Sequence, residues 1–111
     1  MLIKDNIKIT KLTHATKNMV VSIVLKFKLN NNDAFLRIEY SPDNYKIEQN
    51  SISVYIEKLL SSECFNLESL SARFVEDLYD IAVPRNITVE VSQIVEQIET
   101  KISTHKKQPG T

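Results

Sequence analysis

Between residues 19 and 29 the chain alternates in character. In MVVSIVLKFKL, Met19, Val21, Ile23, Leu25, Phe27 and Leu29 fall on one side, and Ser22, Lys26 and Lys28 on the other. A period of two predicts a half-buried strand. The NNND that follows is built from residues that tolerate left-handed backbone angles, so it reads as a hairpin loop. AFLRIEY then resumes the alternation, with Ala34, Leu36, Ile38 and Tyr40 inward and Arg37 and Glu39 outward. Together these segments predict a long antiparallel hairpin. Ahead of it IKITKL, residues 7–12, also alternates and is expected to be an edge strand.

After SPDN the period changes. Ile52, Tyr55, Ile56, Leu59 and Leu60 recur at i, i+3, i+4, i+7 and i+8, the stripe of an amphipathic helix. SSECF interrupts it, and Asn66 is placed to cap a second helix lined by Leu67, Leu70, Phe74, Leu78 and Ile81. Pro84 prevents that helix from continuing. Ile87, Val89 and Val91 then share one strand face, as do Ile98, Thr100 and Ile102, which predicts a second hairpin. The polar HKKQPGT, residues 105–111, reads as a flexible tail. The expected fold class is α+β, in the order ββααββ. Such a chain forms one four-stranded antiparallel sheet with both helices on one face, since that arrangement covers every apolar stripe. The expected organisation is a single domain over residues 1–104, with residues 1–18 an N-terminal extension or edge strand. Open sheet edges invite pairing, so a homo-oligomer joined through them is expected.

Composition narrows the function classes. With 111 residues and 42% hydrophobic side chains the chain can bury a core. Lys plus Arg and Asp plus Glu each number 14, a balance that argues against nucleic-acid binding driven by bulk charge. No apolar run is long enough to span a bilayer, and MLIKDNIKITKL lacks a signal-peptide core, so a cytoplasmic protein is expected. The one cysteine, Cys64, leaves no internal disulfide and no cysteine-rich zinc site. The one glycine, Gly110, leaves no Walker loop or dinucleotide fingerprint, because both need glycine where the backbone approaches phosphate.

The stretch LRIEYSPDNYKIEQNSISVYIEKL resembles the strand-to-helix junction of the tunnelling-fold (T-fold) enzymes. It is most similar to the queuosine-pathway nitrile reductases (the QueF family), which reduce cyano-deazaguanine with NADPH. Glu48-Gln49-Asn50-Ser51 occupies the position of that family's glutamate-serine-lysine-serine motif, and Ile52-Ser53-Val54-Tyr55 that of its helix start. EDLYDIAVPRNITVEV follows the family's rhythm at the second helix and third strand. The resemblance covers roughly residues 32 to 93. It implies that Glu68 is the substrate-anchoring glutamate, with Glu48 and Ser51 lining a pocket at a subunit junction. Chemistry agrees with that role for Glu68. In the first turn of a helix its carboxylate is favoured, and two acceptor oxygens match the paired N–H donors on the edge of a purine, deazapurine or pterin ring. The plainer alternative is a surface glutamate that only complements the helix dipole.

The family's chemistry is missing. Its cysteine nucleophile has no counterpart in VVSIVLKFKLNNND, so no covalent thioimide can form there, and Asp33, near the family's aspartate, is left as a possible acid or base without a nucleophile to serve. Asn50 and Ser53 replace the motif lysines that would meet NADPH phosphates, so no cofactor is expected. Leu67 stands where the family has a histidine. Cys64, flanked by Glu63 and Glu68, has no positive neighbour to activate it and reads as a small packing residue. His14 and His105 lie far apart without an evident third ligand, so no metal site is expected. Tyr45 and Tyr55 read as core or rim residues, Lys106 and Lys107 as a solvated tail, and Glu76, Asp77 and Asp80 as an acidic helix face. The reading is a QueF-like T-fold protein that binds a planar purine- or pterin-type ring without nitrile reductase activity, and whether it catalyses any reaction stays open. The alternative is a non-catalytic T-fold assembly module with no small-molecule ligand.

Overall fold

The computed structural model describes residues 2–13 and 18–110. A short 3-10 turn, Ile3–Asn6, precedes β1 (Ile9–Lys11), β2 (Val21–Leu29), β3 (Asn32–Ser41) and β4 (Tyr45–Ile47). Helices α1 (Gln49–Ser62) and α2 (Leu67–Ala82) follow, and β5 (Asn86–Val95) and β6 (Ile98–Lys107) complete the order. The main sheet has four antiparallel strands in the order β2-β3-β5-β6. The class is α+β, with two helices and antiparallel sheets.

The alternation sets which face of the sheet is buried. Ile23 and Leu29 on β2, Ala34, Leu36, Ile38 and Tyr40 on β3, and Ile87, Val89 and Val91 on β5 are all buried. Their polar neighbours Lys26, Lys28, Arg37 and Glu39 are exposed. The helices cover the apolar face with the stripes read from their spacing. Ile52, Tyr55, Ile56 and Leu59 of α1 join Leu70, Phe74 and Leu78 of α2 in one core. Phe74 is its hub, with its ring 6.3 Å from Phe27 on β2 and 5.9 Å from Tyr55 on α1. Burying such a side chain contributes about 2–3 kcal/mol.

Local chemistry fixes the element ends. Asn66 caps α2 by accepting the Ser69 N–H at 2.7 Å, while Ser69 Oγ accepts the Asn66 N–H at 3.1 Å. At the other end Val83 takes a left-handed conformation, φ 42°, its N–H donating to the Tyr79 carbonyl at 2.9 Å before Pro84 stops the helix. Both hairpins turn on two residues with positive φ: Asn30 and Asn31 (52° and 66°), and Glu96 and Gln97 (51° and 69°). These are the angles whose twist suits a two-residue hairpin.

Four expectations need correcting. The first long strand starts at Val21, and Met19 lies outside it, 42% exposed. The segment at residues 7–12 does not extend the main sheet. Its strand, β1, pairs antiparallel with β4 in a separate two-stranded ribbon, Ile9↔Ile47 to Lys11↔Tyr45. β4 lies between SPDN and the first helix, where no strand is expected, and at three residues it is too short to display a period. At the C-terminus His105, Lys106 and Lys107 belong to β6, and the Gln108 N–H donates to the Arg85 carbonyl. Lys107 pairs with Asn86, so backbone pairing holds these residues despite their polarity.

Candidate functional site

Glu68 stands at the second position of α2, exposed, in the turn where backbone N–H groups favour a carboxylate. Its carboxylate makes no hydrogen bond or ion pair with any other described residue. Glu48 precedes the first residue of α1 and is also exposed. Thr10 Oγ1 donates to its Oε1 at 2.9 Å, and its own N–H donates to the Lys8 carbonyl at 2.8 Å. A cleft of about 570 Å³ opens here, lined by Thr10, Lys46, Ile47, Glu48, Gln49 and Asn50.

Ser51 is not among the residues lining that cleft and is buried. Its hydroxyl donates to the Glu48 carbonyl at 2.6 Å and accepts the Lys8 N–H at 2.9 Å. Donor and acceptor are both engaged in tying the lead-in of β1 to the start of α1. The structure therefore joins Glu48 to Ser51 through the backbone. It does not join either to Glu68, because α1 carries the chain about 21 Å between them. One bicyclic ring cannot touch Glu48 and Glu68 of the same copy.

Asp33 lies elsewhere again. It points to the outer face of the sheet, opposite Lys28 in the β2–β3 ladder, and pairs with Lys28 and with Lys26 at 3.6 Å. The hydrogen bond from Lys28 is the main cause of a carboxyl pKa below its ordinary value. A carboxylate held this way is a weaker base. Cys64 is a free, exposed thiol beside a shallow depression that includes Lys28, Asn30, Asn31 and Glu63. His105 Nδ1 lies 2.9 Å from Thr88 Oγ1, its cross-strand partner. His14 lies outside the described residues. No group of three or more His, Cys, Asp or Glu among the described residues could hold a metal.

A buried polar network escapes any reading of the sequence by faces. Asp77, expected on an exposed acidic face, is 7% exposed. Tyr55 Oη donates to Asp77 Oδ2 at 2.6 Å, Arg73 Nε donates to the same oxygen at 3.2 Å, and Arg73 also donates to Glu63 Oε1 at 3.2 Å. Burial, and then the neighbouring Asp77, raises the Tyr55 hydroxyl pKa far above its usual value. This chain of contacts ties α1, the interhelical turn and α2 together. The only sequence signal for it was the i, i+4 spacing of Arg73 and Asp77. The rest of the acidic face is paired: Glu76 accepts from Lys106 and Asp80 from Lys4, each at 3.1 Å.

Also unread in the sequence is a groove of about 390 Å³ between β2 and α1. Leu25, Phe27, Ile56 and Leu60 give it an apolar floor beside the free edge of β2. Among the described residues every buried side-chain nitrogen and oxygen has a partner. No helix of the described residues is long and apolar enough to cross a membrane. The chain matches no protein-family model, and no curated protein matches it either.

Proposed function

We propose that this chain is a T-fold-like assembly subunit, ββααββ in plan, whose working surface lies between copies in the cytoplasm. One observation carries the reading. The four-stranded sheet ends in two open edges, and beside one of them, β2, lies a groove with an apolar floor and a rim of Lys26, Lys28, Ser53 and Glu57. The separation of Glu48 from Glu68 by the length of α1 agrees with it, since carboxylates so placed can share a ligand only across two copies. Nitrile reduction by the family route is no part of this proposal, because no cysteine precedes β3 and Asp33 is held ionised by lysines. No NADPH site is proposed. Size-exclusion chromatography with light scattering tests the reading: an oligomer is expected, and a strict monomer would overturn it.

A second reading is recognition of a planar purine-, deazapurine- or pterin-type ring, favoured by the free Glu68 carboxylate in the first turn of α2. It is tested by the thermal midpoint with guanine, deazaguanine and pterin compounds. A ring at a hundred times its dissociation constant stabilises by about 2.7 kcal/mol, and Glu68→Ala should abolish the shift. If no ring shifts the midpoint, only the assembly reading stands. A shift that survives Glu68→Ala places the anchor elsewhere.

A further inference from the structure

The two open edges of the main sheet are not alike. β6 is guarded along its length by Glu99, Lys101, Lys106 and Lys107, the charged side chains that keep natural edges from pairing. β2 carries Val24, 55% exposed, with Val20 before it at 65% and Met19 at 42%. Its two lysines, Lys26 and Lys28, already share Asp33. Within the β2 ladder, Leu29 and Asn32 close a two-residue turn and so exchange both backbone hydrogen bonds. Bonded pairs alternate along an antiparallel ladder, so the odd residues of β2 bond to β3. The N–H and C=O groups of Ser22, Val24, Lys26 and Lys28 therefore face the open edge.

We infer that the assembly contact is β2 against β2 of a second copy, antiparallel about a two-fold axis at Val24. The inference rests on the assembly reading and names its interface. The less guarded edge points to the partner strand, and charge excludes the registers centred nearest the lysines. An axis at Lys26 would set Lys26 directly against its own copy, and like charges directly opposite destabilise a ladder. An axis at Leu25 would leave the two Lys26 side chains diagonal to one another, still within reach. An axis at Val24 sets Lys26 opposite Ser22 and Lys28 opposite Val20, so no lysine faces a lysine. On the inner face the same register sets Leu25 against Ile23 and Phe27 against Val21 of the second copy. Apolar side chains then meet at the mouth of the groove that Leu25 and Phe27 share with Ile56 and Leu60. Self-pairing is isologous, so the contact closes at two copies and joins two four-stranded sheets into one.

The test uses the full chain with Cys64→Ser to remove the exposed thiol. Val24→Cys should give a disulfide-linked dimer on mild oxidation, because paired strand positions lie within disulfide reach. Glu39→Cys, on the outer face of the interior strand β3, should not. Val24→Lys should weaken self-association by about tenfold or more while leaving the thermal midpoint of the monomer unchanged, since Val24 is exposed. An oligomer that tolerates Val24→Lys and gives no Val24→Cys bridge would overturn this interface and leave the assembly reading standing. A wild-type chain that stays monomeric would overturn both.

Discussion

The Tyr55 hydroxyl, on the inward stripe of α1, donates a 2.6 Å hydrogen bond to Asp77 of α2, a carboxylate only 7% exposed. A buried carboxylate is tolerable when its oxygens are met, here by Tyr55 and Arg73 on one of them. Tyr55→Phe keeps the ring against Phe74 and removes only the donor. The expected cost is about 1–3 kcal/mol, the worth of a hydrogen bond to a buried carboxylate that then keeps only Arg73, read as a lower denaturation midpoint with an unchanged slope. An unchanged midpoint would mean that the network carries no stability.

The same hydroxyl sets an alkaline limit. Burial and Asp77 make the folded protein hold the Tyr55 proton to higher pH than the unfolded chain, where tyrosine releases it near 10. The folded pKa is raised, so its contribution is fully present below pH 10 and is lost as pH rises beyond it. Tyr40, raised by burial, acts in the same direction. Denaturation midpoints should fall above pH 10, and Tyr55→Phe should flatten that fall without abolishing it. Asp33 works in the opposite sense. Its lowered pKa gives stability present above 3.8 and lost as pH falls below it.

Ser51 provides a test of structure against function. Ser51→Ala strands the Lys8 N–H and should cost about 1 kcal/mol of stability. If Ser51 served a ligand instead, the variant would keep its midpoint and lose only ligand-induced stabilisation.

Asn66 should behave as an ordinary cap. Asn66→Ala removes the acceptor for the Ser69 N–H and should cost about 1 kcal/mol, a drop in melting temperature of about 5 °C. Calorimetry of the two proteins checks it.

Glu68→Ala, by contrast, should cost no more than about 1 kcal/mol, the share of an exposed first-turn carboxylate in the helix dipole, since the side chain has no partner to lose. A larger loss would mark Glu68 as a structural residue and remove it from any recognition role.

Much of the fold was legible because burial here is one-sided. β2, β3 and β5 each bury alternate residues, so period two was written into them, and the helical stripes were equally plain. Asn66 announced its helix by cap chemistry. The ribbon of β1 and β4 was not legible as a pair, since three residues show no period and the partners are joined by 38-residue contacts such as Thr10 to Glu48. The hydrogen bonds of Ser51 were illegible for a similar reason. Its partner Lys8 lies 43 positions earlier, and nothing local marks a serine as engaged. Asp77 was assigned to a solvated face by its charge alone, whereas its partner Tyr55 sits on the preceding helix. The candidate ring site stays a matter of resemblance, because its carboxylates do not converge within one chain.

The order of strands also bears on how the chain reaches its native state. β2–β3 and β5–β6 are closed by two-residue turns and can form locally within microseconds. The β3–β5 ladder, from Ala34↔Gln93 to Ser41↔Asn86, is the one seam in the main sheet that must wait for both helices to be spanned. Loop-closure entropy is largest there, so the barrier to folding should sit at this seam. Weakening Leu36 or Val89 should then slow refolding more than trimming either hairpin tip.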